Sequence, residues 1–300
     1  MYSDVDRSLN IVSLSGSLLE SEIYFRMTGG LGNQLFGLSE SYLLHKITGK
    51  QVVIDFGHID HVAEKQKSPF WLVNSWMRQV IFLPADSAEP VALKDLATDK
   101  ISNQDRYFTG WRPSLSVLEE SNFFQKSTIP ANWSQFVSPI EKPFVALHLR
   151  FGDYLNSPSL GGDITVDRGY VRRALNIIKS ELGLSFVKVF SDDQEMSRRL
   201  CNSFSDFEFQ FLVRGEPIRD LIEFSQAEAI VASASTFSFW AAYFSKANKV
   251  IFPGPFFPVN PRWEKELLDK SWIQLRRTDK SIREVKKLWN LIFSKESKTF

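Results

Sequence analysis

The stretch FVALHLRFGDYL, residues 144–155, decides the fold of this chain because an apolar run leads directly into a group of polar residues. The apolar run predicts a buried strand. The two-residue repeat of a strand puts the side chains of His148 and Arg150 on the same side as the strand ends. Gly152 then permits a sharp turn, and Asp153 follows in the loop.

His148, Arg150 and Asp153 lie where ligands commonly bind, because open α/β sheets hold their ligands beyond the carboxyl ends of the strands. The planar guanidinium of Arg150 matches a phosphate group and keeps its charge, which indicates a charged, hydrogen-bonding ligand. The same residues also fit a plain ion pair between Arg150 and Asp153. Both interpretations stay open at this point.

The composition excludes several classes of protein. A length of 300 residues predicts about two domains, and a formal net charge of +1 argues against a nucleic-acid-binding protein. The single cysteine, Cys201, excludes an internal disulfide and favours a reducing compartment. No apolar run is long enough to span a bilayer, and the first residues do not resemble a secretory signal, so we expect a cytoplasmic protein.

The N-terminal half predicts an arm followed by a strand–helix–strand unit. Residues 1–22 show no clear period and are interpreted as a loosely held arm. Alternating apolar residues predict a strand over residues 22–27, and residues 51–56 predict the next one. Between these strands, an apolar period near 3.6 residues predicts a helix that Gly49 ends.

The glycine-rich loop TGGLGNQLF, residues 28–36, opens that helix. It matches neither a Walker A motif nor GxGxxG, and a tight turn alone would explain its glycines. Two features favour a ligand: Gly30 and Gly32 let the backbone approach closely, and Asn33 offers an amide. The helix N-terminus also carries partial positive charge, which favours an anion.

The other elements of this half are less regular. Residues 70–83 are mostly apolar and predict a helix, residues 106–113 predict a strand and a turn, and residues 113–124 predict a second helix. Three prolines precede the central strand, and we place the domain boundary there. The N-terminal domain then covers residues 23–140, and the C-terminal domain covers residues 141–300.

The C-terminal half alternates strands with helices, which predicts an α/β fold with a parallel sheet and helices on both faces. Asp167 is expected to cap a helix that Gly183 ends. The predicted strands cover residues 144–149, 186–190, 207–212, 229–232 and 249–252, and the predicted helices cover residues 168–182, 194–204 and 217–227.

Three strand ends of this half carry polar groups, and in a doubly wound sheet these ends share one edge. The first is the group around Arg150. The second is the pair Asp192 and Asp193. Asp193 is expected to cap the next helix, which leaves Asp192 free to accept hydrogen bonds from guanine or ribose, although a carboxylate pair also suits a metal.

The third polar strand end is the segment SASTFS. It brings Ser235, Thr236 and Ser238, with backbone N–H groups, to a helix N-terminus, which suits a phosphate but also fits a plain cap. Phe237 follows and can pack on a base. The four histidines of the chain show no metal-binding pattern, and no nucleophile elbow is present.

Four blocks of this sequence resemble, in order and spacing, those of the α-1,2-fucosyltransferases, glycosyltransferase family 11. They are GGLGNQLF at residues 29–36, HLRFGDY at 148–154, FSDD at 190–193 and STFSFW at 235–240. The resemblance covers residues 24–275. Two positions depart from it, because Phe151 stands where the family usually has a second arginine and Ala234 where it usually has asparagine.

The resemblance implies transfer of L-fucose from GDP-β-L-fucose to the 2-OH of a terminal galactose, with inversion and without a metal or other cofactor. It implies a GT-B-like fold, in which two Rossmann-like domains face a cleft. The C-terminal domain would bind the nucleotide, and the N-terminal domain would form the acceptor side. The acceptor would be a galactose-terminated oligosaccharide or lipid-linked glycan, handled in the cytoplasm or at the inner face of the membrane.

The resemblance also implies a role for each candidate residue. Arg150 and helix N-termini would stabilise the charge on the departing diphosphate. His148 would contact the diphosphate or the ribose. Asn33 would bridge fucose, phosphate and acceptor. Asp153 is the candidate base, although the departing phosphate or water serves equally in a loose displacement. The expected donor-binding residues are Gly30, Gly32, His148, Arg150, Asp192, Ser235, Thr236 and Phe237, and the expected acceptor side includes Tyr154, Trp111 and residues 156–163.

Two other functions stay open from the sequence. One is fucosyl transfer with another donor or linkage, for example to a peptide hydroxyl. The other is a non-catalytic protein that binds a sugar or nucleotide sugar on the same scaffold, which the departures at Phe151 and Ala234 favour.

Overall fold

The computed structural model describes residues 22–55, 77–80, 91–92, 107–109, 115–155, 164–213, 215–254 and 267–277. The chain divides into two compact units, Met1–Gln125 and Lys126–Phe300. The predicted arm lies outside the described residues except for Glu22, which begins the first strand. Within the described ranges, no helix is long and apolar enough to cross a membrane.

The first unit contains a parallel sheet whose described strands run in the order β3-β2-β1-β5-β4. Tyr24 and Phe25 of β1 are fully buried and pair with strands on both sides, as expected for the centre of a parallel sheet. The strands are β1 Glu22–Arg26, β2 Gln51–Asp55, β3 Met77–Val80, β4 Val91–Ala92 and β5 Tyr107–Thr109, and the helices are α1 Leu31–Thr48 and α2 Leu115–Ser121.

The strand–helix–strand beginning of this unit confirms the prediction from the sequence. Helix α1 ends at Gly49, whose φ of +67° lies in the left-handed region that favours glycine. The N–H of Gly49 donates to the carbonyl oxygen of His45 at 2.8 Å, which satisfies an end carbonyl of the helix. β5 and α2 also lie inside the ranges predicted for them.

Strand β3 corrects one prediction. The helix predicted over residues 70–83 is wrong at Met77–Val80, which is a strand paired in parallel with β2. The rest of that range lies outside the described residues. An apolar run with polar interruptions fits both an amphipathic helix and an edge strand, and the decisive pairing with β2 is not visible in a local pattern.

The second unit contains a parallel sheet whose described strands run in the order β11-β10-β9-β6-β7-β8, which confirms the predicted α/β class. The strands are β6 Val145–Leu149, β7 Phe186–Ser191, β8 Glu208–Phe211, β9 Ala229–Val231, β10 Lys249–Gly254 and β11 Ile273–Arg276. The helices are α3 Arg168–Leu182, α4 Gln194–Cys201, α5 Pro217–Ser225 and α6 Thr236–Phe244.

The helix ends of this unit follow from local sequence. The carboxylate of Asp167 accepts a hydrogen bond from the backbone N–H of Tyr170 at 2.7 Å, and Gly183 ends the same helix with a φ of +71°. Asp193 accepts the backbone N–H of Met196 at 2.9 Å. These contacts confirm the caps predicted for α3 and α4.

The core of the second unit lies between β6 and α3. Val145, Leu147 and Leu149 are fully buried on one face of β6 and belong to one cluster with Tyr170 and Leu175 of α3. Because side chains alternate along a strand, the intervening residues of β6 project to the opposite face.

Tyr170 also joins this core to two strands. Its hydroxyl lies 2.8 Å from the carbonyl oxygen of Ala232, just after β9, and 3.0 Å from that of Ile251 in β10. Burial raises the pKa of the phenol well above its usual value, so the hydroxyl stays a proton donor.

The boundary between the units lies earlier than the one placed at residues 140 and 141. Residues 126–143 pack on the second unit: the N–H of Ser127 donates to the carbonyl oxygen of Tyr243 at 2.8 Å. The buried ring of Trp133 meets Phe244 edge-on at 5.4 Å. Prolines break regular structure, but they do not show which unit a segment packs against. Residues 126–143 are held on the second unit by a buried tryptophan.

Candidate active site

Three of the sequence blocks meet at one edge of the second sheet. From β6 the chain proceeds to β7 and β8 on one side, and it then returns to β9, β10 and β11 on the other. The crevice between β6 and β9 is therefore a topological switch point, where open α/β sheets commonly bind ligands. His148 in β6 contacts Ser233 and Ser238, which lie beyond β9.

Arg150 is held by two carboxylates. Its Nη1 lies 3.2 Å from Oδ2 of Asp192, and its Nη2 lies 2.8 Å from Oδ1 of Asp153. The Arg150 side chain is 28% exposed and that of Asp153 is 64% exposed. The predicted ion pair is confirmed, and because an exposed pair is weak, a phosphate can take the place of Asp153 at modest cost.

Asp192 differs from its prediction because it is not free. Its Oδ1 accepts the backbone N–H of Phe151 at 2.8 Å, its Oδ2 faces Arg150, and its side chain is 9% exposed. Gly152 makes this approach possible, since a Cβ there would lie 2.8 Å from Oδ2 of Asp192. Any contact of Asp192 with a base or ribose would share its carboxylate oxygens with these partners.

The two positions that depart from the family pattern are both buried. Phe151 is 4% exposed and belongs to the apolar cluster with Val166 and Tyr170, so a packing residue replaces the second arginine. Ala234 is fully buried, and its carbonyl oxygen accepts the hydroxyl of Tyr154 at 3.0 Å. Burial raises the pKa of Tyr154 well above its usual value, so this phenol is a donor that fixes the turn after β6.

His148 lies in a buried polar cluster. Its Nδ1 is 2.7 Å from the hydroxyl oxygens of both Ser233 and Ser238. Aromatic rings flank the imidazole, with centroids 5.3 Å away for Phe237 and 5.8 Å away for Phe224. Ser233 was not among the predicted site residues, although the alternation of serines in SASTFS indicates hydroxyls on one side of the chain.

The start of α6 carries a side-chain cap, which was one of the two interpretations of this segment from the sequence. The hydroxyl oxygen of Ser235 accepts the backbone N–H of Ser238 at 3.1 Å, and Thr236 is the first residue of the helix. Phe237 is half-buried beside the imidazole of His148. The cap is confirmed, and the phosphate contacts of Ser235, Thr236 and Phe237 stay predictions.

The glycine-rich loop of the first unit has a defined turn. Gly29, with a φ of +72°, lies so close to Asn33 that a Cβ there would be 2.4 Å from Nδ2. The carbonyl oxygen of Gly30 accepts the N–H groups of Asn33 at 3.0 Å and Gln34 at 3.1 Å. Glycine is therefore required at position 29, while ligand contacts of Gly30, Gly32 and Asn33 stay predictions.

Other predicted features lie partly outside the described residues. Trp111 and residues 156–163 lie outside the described residues. Of the side chains that the structure describes, no group of three or more His, Cys, Asp or Glu residues is arranged to hold a metal ion. Cys201 is buried, and burial raises the pKa of its thiol to about 12, as expected for an inert cysteine.

Comparison with known proteins decides the family. The sequence model described as "Glycosyl transferase family 11" matches residues 98–276. The chain belongs to glycosyl transferase family 11. The match contains the blocks at residues 148–154, 190–193 and 235–240 of this family 11 chain, but not the glycine-rich loop.

Three curated relatives of the family 11 chain come from mouse, cattle and rat. A mouse protein named galactoside 2-alpha-L-fucosyltransferase Sec1 is 29% identical over 148 residues, which is 48% of this chain and 39% of the mouse protein. A bovine protein of the same name is 32% identical over 111 residues, 36% of this chain and 30% of the relative. Rat galactoside alpha-(1,2)-fucosyltransferase 2 is 27% identical over 148 residues, 48% of this chain and 40% of the relative. The matches thus span less than half of these relatives.

Two solved glycosyltransferase structures show a low similarity to this chain. The fucosyltransferase NodZ from Bradyrhizobium has a TM-score of 0.47 and 11% identity, covering 75% of the family 11 chain and 92% of NodZ. The E. coli heptosyltransferase WaaC has a TM-score of 0.46 and 12% identity, covering 91% of this chain and 99% of WaaC.

Proposed function

We propose that this family 11 chain transfers L-fucose from GDP-β-L-fucose to the 2-OH of a terminal galactose, with inversion and without a metal. The observation that carries the proposal is the meeting of His148, Arg150 and the start of α6 at the switch point between β6 and β9. The names of the curated relatives support the fucosyl donor and the galactoside acceptor.

The donor nucleotide binds at the carboxyl edge of the second sheet. As the bond to fucose breaks, negative charge develops on the β-phosphate of GDP, and fixed donors stabilise that charge most effectively. Arg150 supplies a planar guanidinium, and the nine-residue helix α6 supplies N–H groups and partial positive charge. Arg150 exchanges Asp153 for the phosphate, while Asp192 keeps one side of the guanidinium in place.

The proton of the acceptor hydroxyl goes to Asp153 in this proposal. When Arg150 turns to the phosphate, the carboxylate of Asp153 loses its partner and becomes available as a base. In the competing mechanism the departing phosphate or water takes the proton. Asp153→Asn separates the two, since loss of the carboxylate abolishes fucosyl transfer only if Asp153 is the base.

The first unit supplies the acceptor side. The family resemblance is what assigns Asn33, at the start of α1, its contact with fucose, phosphate and acceptor, and Gly30 and Gly32 their contact with the donor. Tyr154, Trp111 and residues 156–163 contact the acceptor, a galactose-terminated oligosaccharide or a lipid-linked glycan. In this proposal the enzyme helps to assemble a cell-surface polysaccharide on the cytoplasmic side of the membrane.

A non-catalytic binding protein is the second candidate, favoured by the burial of Phe151 in the core and by Ala234. Release of GDP distinguishes the two functions, because a binding protein holds GDP-fucose without releasing GDP when acceptor is added.

Calorimetry with GDP, UDP and CMP, followed by a panel of galactosides, tests the proposal. We expect GDP to bind preferentially, GDP-fucose to be consumed with lactose-type acceptors, and the product to carry an α-1,2 linkage by NMR. Activity is expected to survive EDTA. Preference for UDP or CMP refutes the donor, a different linkage refutes the acceptor position, and loss of activity in EDTA that Mg²⁺ or Mn²⁺ restores refutes metal independence.

A further inference from the structure

Three serine hydroxyls surround a single ring nitrogen of His148. Ser233 and Ser238 each place Oγ 2.7 Å from Nδ1, and Ser235 places Oγ 3.4 Å away. The exposed fractions are 7% for His148 and at most 5% for the serines, so water does not compete for these bonds. Because a neutral imidazole has one N–H donor and one acceptor nitrogen, such a cluster selects which nitrogen carries the proton.

The hydroxyl of Ser238 is well placed to donate to His148. Its oxygen accepts the backbone N–H of Ser233 at 3.2 Å and the hydroxyl of Ser235 at 3.1 Å. A serine oxygen has two acceptor positions and one proton, so both acceptor positions are filled. The proton has two acceptors within reach, and Nδ1 of His148 at 2.7 Å is much closer than Oγ of Ser233 at 3.3 Å.

The remaining serines complete a chain of donors. Ser235 Oγ accepts the backbone N–H of Ser238 at 3.1 Å and the hydroxyl of Ser233 at 3.2 Å, and it donates to Ser238. With Ser238 as the donor to the ring, protons run from Ser233 to Ser235 to Ser238 and end at Nδ1, and the competing arrangement is a ring that donates from Nδ1 to Ser233, whose Oγ is equally close. A neutral ring that accepts at Nδ1 carries its proton on Nε2.

We infer that Ser238 is a positioning residue that holds neutral His148 with its proton on Nε2, so that the ring donates a hydrogen bond to the donor nucleotide. Only the identity of the ligand rests on the proposed function. A donor set before the ligand arrives needs no reorganisation, whereas an unprotonated Nε2 would face phosphate or base oxygens with a lone pair. Phe224 and Phe237 flank the ring and restrict its tilt.

The tautomer is measurable in the free protein. Long-range ¹H–¹⁵N spectra of labelled protein distinguish protonated from unprotonated ring nitrogens, and only four histidines need assignment. We expect neutral His148 to show a protonated Nε2 in the wild type and a mixture of tautomers in Ser238→Ala. A wild-type ring with the proton on Nδ1, donating to Ser233, overturns the inference.

Ser225→Ala is the matched control. Ser225 is 4% exposed in α5, and its hydroxyl donates at 2.7 Å to the carbonyl oxygen of Ile222 in the same helix. The control therefore removes a buried hydroxyl without touching His148, and its spectrum should equal the wild type. A Ser238→Ala spectrum that matches the control overturns the role of Ser238, and if Ser238→Ala does not fold, the wild-type tautomer alone decides.

GDP binding separates this inference from the proposed function. Loss of the fixed donor is expected to weaken GDP binding about tenfold in Ser238→Ala and to leave Ser225→Ala unchanged. Unchanged GDP affinity beside a mixed tautomer overturns the positioning role. A wild type that binds no GDP overturns the assigned ligand together with the proposed function, whereas a proton on Nδ1 overturns the inference and leaves that function intact.

Discussion

Asp192 offers the sharpest test of how the ends of β6 and β7 are joined. Its carboxylate accepts the backbone N–H of Phe151 at 2.8 Å through Oδ1 and pairs with Arg150 at 3.2 Å through Oδ2. Asp153 pairs with the same arginine but is 64% exposed, against 9% for Asp192. Two carboxylates on one guanidinium therefore differ in burial and in their contact with the backbone.

The expected cost of Asp192→Ala follows from these contacts. Removing the acceptor leaves the N–H of Phe151, in a residue that is 4% exposed, without its partner, which costs about 1–3 kcal/mol. The ion pair to a partly exposed arginine adds less than about 1 kcal/mol. We therefore expect Asp192→Ala to lower the free energy of unfolding by about 1–4 kcal/mol, whereas Asp192→Asn keeps an oxygen for Phe151 and costs less than about 1 kcal/mol.

Urea unfolding measures these differences from the shift of the midpoint at constant slope. Asp153→Ala is the control, because it removes a carboxylate from Arg150 without exposing a backbone donor, and it should cost less than about 0.5 kcal/mol. Equal losses for Asp192→Ala and Asp153→Ala would refute the reasoning, since the buried N–H of Phe151 would then contribute nothing.

Three further substitutions test other parts of the molecule. Arg150→Lys keeps the charge but loses the planar fork, so the rate of GDP release with acceptor should fall about 10²- to 10³-fold; a wild-type rate removes Arg150 from the transition state. Trp111→Ala should raise the acceptor KM and leave GDP affinity unchanged by calorimetry, and an unchanged KM excludes Trp111 from the site. Burial alone would raise the pKa of Asp269, but hydrogen bonds from Lys126 and Ser271 lower it from 3.8 to about 2. Because the folded pKa is the lower one, this carboxylate stabilises the fold above pH 3.8, and the stabilisation is lost as the pH falls towards 2. Asp269→Asn should reduce that acid-dependent loss in urea titrations, and an identical pH dependence would contradict the assignment.

Local signals explain what the sequence predicted well. A capping aspartate and a terminal glycine set the ends of α3, because both act on backbone groups within one helical turn. The apolar runs of β6, β9 and β10 predicted buried strands of a parallel sheet, and their burial confirms this. Motif order was enough to identify the family, which the match over residues 98–276 confirms.

Contacts between distant residues explain what the sequence could not provide. Asp192 was expected to be free, but its backbone partner is Phe151, in the turn beyond another strand of the sheet. Ser233 was not predicted because its contact with His148 depends on the pairing of β6 with β9, which a local sequence pattern does not show. Met77–Val80 forms a strand because it pairs with β2, and the composition of the segment does not predict that pairing.

The hydroxyl of Tyr170 links the apolar core on one face of the sheet to the strands that border the crevice at its carboxyl edge. Its hydroxyl is shared between the carbonyls of Ala232 and Ile251, so the spacing of the strands that lead to the serine-rich segment depends on where α3 rests. Repacking of α3 is therefore expected to shift the serine-rich segment unless the tyrosine is retained. Tolerance to change in this helix therefore depends on this hydroxyl as well as on the volume of the buried side chains.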